Sequence, residues 1–206
     1  MLARTAQSEA MRRARVDHQL IAEMVTPEAR ILDVGCGDGA LLQLLADTKN
    51  TDGRGIEISR ERVNACVARG LSVIQGDANS DLETYPDAAF DYAILSQTLQ
   101  TTARPDLVLD QLLRVGRKAF VSFPNFAHWR VRASLLWHGR MPVTRLLPVA
   151  WYETPNIHHV TVRDFRELVA AKGLTVEGAW FLSGDKRISD AAANWRAEHA
   201  VFLLSR

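Results

Sequence analysis

The chain alternates between two hydrophobic periods. Short apolar runs that stop at glycine, an acid or an amide read as strands, and stretches with leucine or valine three or four positions apart read as helices. Val16, Leu20, Ile21 and Met24 share one face of a predicted helix over residues 16–25. The run ILDV then ends abruptly at glycines, and ALLQLLAD predicts the helix that follows. Arg54–Ile58 (RGIEI) is a second strand, after which Ser59 caps a helix over Arg60–Arg69 that Gly70 ends. Leu71–Asp77 (LSVIQGD) and Phe90–Gln97 (FDYAILSQ) supply a third and a fourth strand. Pro105 opens a helix bearing Leu107, Val108, Leu109, Leu112 and Leu113, and Lys118–Asn125 (KAFVSFPN) is the fifth strand. Thr161 and Asp164 form a capping-box pattern before VRDFRELVAAK, which Gly173 closes; LTVEGAWFL and AVFLLS are two closing strands. Strands alternating with helices predict an α/β fold with a parallel sheet, and the strand pair after the last helix predicts an antiparallel edge.

Ile31–Gly39, ILDVGCGDG, is the most informative stretch. Asp33 precedes three glycines at alternate positions, Gly35, Gly37 and Gly39, with Cys36 between the first two. A turn without side chains lets a ligand approach the backbone, and the helix start adds unpaired N–H donors. A cofactor edge is expected there. The dinucleotide fingerprint G-x-G-x-x-G has its third glycine one place later. An acid followed by G-x-G-x-G instead resembles motif I of the class I S-adenosylmethionine (SAM) methyltransferases. SAM carries a cationic sulfonium and an amino group and no pyrophosphate, so a nearby carboxylate suits it. A tight turn without a ligand is the alternative the glycines alone leave open.

Two later acids favour the ligand. Glu57, with Ile58 beside it, ends the second strand, where an acid can accept both ribose hydroxyls. Asp77 ends the third strand in QGDA. In the resembling fold this position accepts from the adenine exocyclic amine, with a backbone N–H near Ala78 reading a ring nitrogen. Ser96 and Gln97, closing the fourth strand, are expected near the methionine moiety.

Bulk properties exclude several classes. The 206 residues fit one domain with a sizeable core, and 47% hydrophobic with 24% charged residues is ordinary for a soluble protein. A net charge of +1 gives no global attraction to nucleic acid or an anionic membrane. No apolar run reaches membrane-spanning length and no apolar signal core follows the N-terminal arginines, so a cytoplasmic protein is expected. Cys36 and Cys66 make no disulfide framework, and no Cys/His spacing points to a metal. At a helix N-terminus Cys36 can be reactive; the plainer expectation is a small residue filling a tight turn.

No catalytic residue is assigned. SQTLQTT after the fourth strand lacks the Asn/Asp-Pro-Pro-aromatic signature of many amino-group methyltransferases, and no histidine follows closely enough to be an evident base. His128, His158 and His159 come later and read as surface or hydrogen-bonding groups. The unusual material is the inserted segment 126–157. It combines Trp129, Trp137, Trp151 and Tyr152 with Arg130, Arg132, Arg140 and Arg145, and holds no acid before Glu153. Trp129, Arg130, Arg132, Trp137 and Trp151 have the character of interface anchors. A lid over a substrate pocket, an RNA contact without any recognisable RNA-binding motif, and a cap with tryptophans inward and arginines solvated are the alternatives.

Together, ILDVGCGDG, RGIEIS, CVARGLSVIQGD, FDYAILSQTLQ, RVGRKAFVSFPNFAHWRVR and GRMPVTRLLPVAWYETPNIH resemble the bacterial methionine-biosynthesis proteins of the MetW family, from about Ile21 to the C-terminus. FPNFAHWR and WYETPNIH are far more specific than motif I. The resemblance implies a Rossmann-like class I methyltransferase fold, a seven-stranded, mostly parallel sheet with helices on both faces and an antiparallel edge strand. It implies a SAM or S-adenosylhomocysteine (SAH) site. It also implies a role with homoserine O-acetyltransferase or O-succinyltransferase, as an activating or regulatory subunit. The competing expectation is an active SAM-dependent methyltransferase on an unidentified small acceptor.

Overall fold

The computed structural model describes residues 14–144 and 147–206; Arg145, counted above among the segment's arginines, lies outside them. The elements run α1 (Val16–Met24), β1 (Arg30–Val34), α2 (Ala40–Lys49), β2 (Asp52–Glu57), α3 (Arg60–Ala68), β3 (Ser72–Gln75) and β4 (Phe90–Ser96). They continue with α4 (Pro105–Val115), β5 (Gly116–Pro124), α5 (Trp129–His138), α6 (Val162–Ala171), β6 (Thr175–Ser183), β7 (Lys186–Ile188), a single turn α7 (Ala193–Arg196) and β8 (His199–Ser205). One sheet joins the strands in the order β3-β2-β1-β4-β5-β8-β6-β7. The first five are mutually parallel, β8 runs antiparallel between β5 and β6, and β7 pairs antiparallel with β6 at the edge.

The sheet therefore has eight strands rather than seven. The extra one, β7, is three residues long and partly exposed, with no apolar run to announce it. The closing run AVFLLS is an interior strand, and Ala200, Val201, Phe202 and Leu204 are fully buried there.

Alternation along β1 feeds two cores, since successive strand side chains point to opposite faces. Leu32 and Val34 join Leu109, Leu112, Phe165 and Phe202 beneath α4 and α6. Ile31 joins Leu20, Ile21, Leu41, Leu45 and Cys66 beneath α1, α2 and α3. The predicted caps form, with Ser59 Oγ accepting from Arg62 N–H and Thr161 Oγ1 from Asp164 N–H. The first helix is rotated from its predicted face: Asp17, His18, Leu20, Ile21 and Ala22 are buried and Met24 is exposed. Among the described residues no helix is long and apolar enough to cross a membrane.

Candidate functional site

Parallel pairing brings the carboxyl ends of β1, β2 and β4 side by side, with Asp33 opposite Gly55 on one flank and Ile94 on the other. A cavity of about 490 Å³ opens there. Asp33, Gly35, Cys36, Gly37, Glu57, Ile58, Asp77, Ala78, Ser96 and Gln97 all line it. Gly39 does not. It stands before α2 with φ 75°, and a Cβ would come within 2.4 Å of Leu71 and 3.0 Å of Cys66 Sγ, so its bareness lets α2 approach α3. Gly37 differs: at φ 59° its missing Cβ would enter open space, which leaves the backbone accessible from the cavity.

The acids are held by their surroundings. Glu57 is buried, and its carboxylate accepts from Gly37 N–H at 2.8 Å and Ser59 N–H at 3.0 Å. The glycine turn thus fixes the carboxylate, whose remaining lone pairs are free for further donors. Asp77 Oδ1 accepts from the backbone and side-chain nitrogens of Asn79, and its backbone N–H donates to Asp81. Asp33 is almost fully buried and its Oδ1 has no partner among the described residues. Burial pushes its carboxyl up to about 7, against the Arg15 charge that favours ionisation; Glu57 and Asp17 add to the rise. An unpaired buried carboxyl oxygen, a bare glycine backbone and a fixed carboxylate together fit a ligand with cationic and hydroxyl donors, as SAM is. Burial, reinforced by Asp33, raises the Cys36 thiol far above its ordinary range, so this cysteine fills the turn rather than reacting.

Several residues of the site escaped sequence reasoning, and three of them come from the first helix and its start. Arg15 and His18 line the cavity, and Asp17 lies behind it. Asp17 Oδ2 accepts from Arg15 at 2.6 Å, Ser96 Oγ at 3.1 Å and Ser122 Oγ at 3.2 Å. Burial works to raise the Asp17 carboxyl, but the Arg15 hydrogen bond and charge hold it at about 2. Burial lowers His18 to about 4, leaving it neutral at pH 7 and a weak base. The Ser96 hydroxyl is spent on this network. A signal was present: Asp17 and His18 precede Ile21 and Ala22 by four positions, on the stripe that is buried.

Beyond β5 the segment 126–157 builds its own small core of Phe126, Val131 and Leu147, with Met141 against it. Helix α5 buries only Val131, whereas Trp129 (42% exposed), Leu135, Leu136 and Trp137 (73%) face outward, as do Trp151 and Tyr152 farther on. Tryptophans packed inward are therefore not what the fold adopts. Arg130 stacks on Trp129 at 5.4 Å, and Arg132 lies over Trp195 at 5.1 Å while donating to the Ala127 carbonyl. His128 is buried and accepts from Arg130 N–H as a helix cap. The backbone N–H groups of Ile157 and His158 donate to the Gln100 carbonyl, at 2.8 and 3.0 Å. A second cavity, of about 520 Å³, lies beneath residues 141–142 and 147–159 and shares Gln97 and Pro155 with the first. His159 lines it.

Comparison with known proteins places this geometry. Residues 15–204 match the family described as methionine biosynthesis protein MetW, so the match begins ahead of the Ile21 start expected from the motifs. The bifunctional methionine biosynthesis protein MetXA/MetW of Rhodopirellula baltica is 35% identical over 203 residues, 93% of this chain and 33% of that protein. The chain thus spans about a third of that relative's length. A SAM-dependent methyltransferase from Mesorhizobium loti superposes with a TM-score of 0.70 at 16% identity, covering 95% of this chain and all of that one. The [4+2]-cyclase SpnF superposes at 0.66 with 20% identity, over 94% of this chain and 84% of its own. Such likeness shows a class I methyltransferase fold; it does not fix a reaction.

Proposed function

The chain belongs to the MetW family of methionine biosynthesis proteins, and on that premise we propose that it binds SAM or SAH and acts with a homoserine O-acyltransferase as its activating or regulatory subunit. One observation carries the partnership. Helix α5 spends a single residue on its own fold and leaves Trp129, Leu135, Leu136 and Trp137 in solvent, the kind of patch that marks a protein contact. The joining of MetXA with MetW in the name of the Rhodopirellula relative supports the choice of partner.

For the ligand, the supports are Gly37, Glu57, Asp77 and Asp33. The bare backbone at Gly37 admits an adenosyl ligand close to the turn. Glu57 is preset to accept ribose hydroxyls, and Asp77 Oδ2 is left to accept from the adenine amine. Asp33 offers its unpartnered oxygen to cationic donors. When bound, SAM supplies an electrophilic methyl group. These side chains bind and orient the ligand; His18, a weak base, is poorly suited to take a proton from an acceptor. Because SAM derives from methionine, its occupancy of this cavity would couple the partner's activity to the supply of end product.

The test combines the purified chain with a homoserine O-acyltransferase and measures co-purification and acyl transfer, with and without SAH. Activation by the wild type, weakened by Trp137→Ala in a folded protein, is the expected result. Neither binding nor activation, together with efficient methylation of a small acceptor, decides for the second reading, an active methyltransferase. The observation favouring that reading is the second cavity, one residue away from the first across Gln97.

A further inference from the structure

The turn after β3 holds Asp77 at several points. Gly76 N–H donates to the Glu57 carbonyl at 3.1 Å, which keeps the turn against the end of β2. A Cβ on Gly76 would stand 2.7 Å from Asp81 Oδ2, so its bareness lets that carboxylate reach Asp77 N–H, at 2.9 Å. The Asp77 carbonyl in turn accepts from Ser80 N–H at 3.2 Å and Asp81 N–H at 2.9 Å. That fixes the backbone. The side chain is fixed by Asn79, whose N–H and Nδ2 donate to Asp77 Oδ1 at 2.9 and 2.7 Å.

Asn79 is itself held from the other side. Its Oδ1 accepts from Ala103 N–H at 2.9 Å, in the loop that follows β4. In the sheet β2 and β1 stand between β3 and β4, so the two loops leave strands about 14 Å apart. One amide joins them. Only this orientation satisfies both neighbours, since a flipped amide would set oxygen against the carboxylate and NH₂ against an N–H. The far anchor is firm: Thr102, next to Ala103, is buried and its Oγ1 donates to the Leu99 carbonyl at 2.9 Å. Asp77 and Asn79 from one loop and Thr101 and Thr102 from the other all line the first cavity. Asn79 is exposed, so its side chain adds little to the core.

We propose that Asn79 is a positioning residue that makes the first cavity select a 6-aminopurine over a 6-oxopurine; the inference rests on the reading of that cavity as an adenosyl site. A carboxylate only accepts hydrogen bonds. With Oδ1 held by two donors of Asn79, the group at purine C6 meets the other oxygen of Asp77. An amine there donates to it, whereas a carbonyl oxygen is repelled. The rejection needs a carboxylate that cannot turn away, and the amide anchored on Ala103 supplies that rigidity. Asn79 acts through Asp77 and needs no contact with the ligand.

The test compares SAH with S-inosylhomocysteine, in which a carbonyl replaces the purine amine, by calorimetry and competition on the full chain. Wild type should prefer SAH by at least about 100-fold. Asn79→Asp keeps the shape and the acceptor for Ala103 but sets a second carboxylate against Asp77, and Asn79→Ala removes both side-chain contacts. In each variant, shown to be folded by thermal unfolding, the preference should fall at least about tenfold. The loss should come from SAH, with S-inosylhomocysteine bound as well as by wild type or better. A merely structural role would weaken both ligands alike, and that result overturns the proposal, as does an unchanged preference in both variants. Wild type binding the two ligands equally overturns it and leaves the adenosyl reading standing. Wild type binding neither overturns both.

Discussion

The two cavities share a wall at Gln97 and Pro155 but are built on opposite principles. The first lies at strand ends, where parallel register and a short glycine turn place carboxylates against backbone N–H donors. Its polar groups are positioned by the sheet itself. The second is roofed by a long excursion from the sheet in which Pro142, Pro148 and Pro155 keep the chain irregular and carry no N–H to satisfy. Its walls are mainly apolar, with Gln97, Gln100, Thr154, Asn156 and His159 as the polar members. Moreover, the segment that roofs the second turns its tryptophans to solvent, so one excursion supplies both a pocket and a contact surface.

The sharpest test of the first cavity is Gly37→Val. Its side chain would enter that cavity from a φ of 59°, so SAH binding should fall at least about 100-fold by calorimetry. Unchanged SAH affinity would show that the ligand does not approach the glycine turn.

Asp33→Asn tests the claim that the first cavity buries an acid with an unpartnered oxygen. The folded carboxyl sits at about 7, above its ordinary 3.8, so the stability that its protonated form contributes is complete below pH 4 and is lost as pH rises to 7. The asparagine variant should gain on the wild type across that interval, with a plateau on the order of 4 kcal/mol by pH 8 in denaturant titrations. A difference that does not change with pH would refute the buried-acid assignment.

Glu57→Ala removes an acceptor shared by Gly37 and Ser59 as well as by the proposed ribose. SAH affinity should fall by about 1–3 kcal/mol. Glu57→Gln should recover part of the loss, because one carbonyl oxygen remains.

The smallest effect on the fold should come from Trp137→Ala. At 73% exposed, this side chain contributes little to folding, and thermal unfolding should place the variant within about 0.5 kcal/mol of wild type. Any larger loss would mean that α5 is packed on its own chain and that its outward face is no contact surface.

Much of the first cavity was legible in the sequence because its causes are local. Gly35, Gly37 and Gly39 admit the positive φ that a turn at the end of an apolar run needs, and Asp33, Glu57 and Asp77 lie at or just beyond the ends of apolar runs whose period places them at the sheet edge. The caps at Ser59 and Thr161 depend on residues three positions apart and were equally readable. Gly39 shows the limit: its spacing is that of the motif, but whether a glycine faces a ligand or a neighbouring helix depends on α3, which is remote in sequence.

What only the tertiary structure decided is which side of each element would be covered. The same tryptophans and arginines suit an inward cap or an outward anchor, and α5 is outward because none of the described residues covers Trp137. Asp17 became part of the site because α1 docks on the β4 and β5 ends, bringing it to Ser96 and Ser122, 79 and 105 positions away in sequence. The run AVFLLS reads as a closing strand on any inspection, yet its place inside the sheet follows from pairing with β5 on one side and β6 on the other. Hydrophobic period, glycine and capping chemistry act over a few residues and are written along the chain. Burial and hydrogen-bond satisfaction are properties of what arrives from elsewhere, and only folding supplies the neighbour.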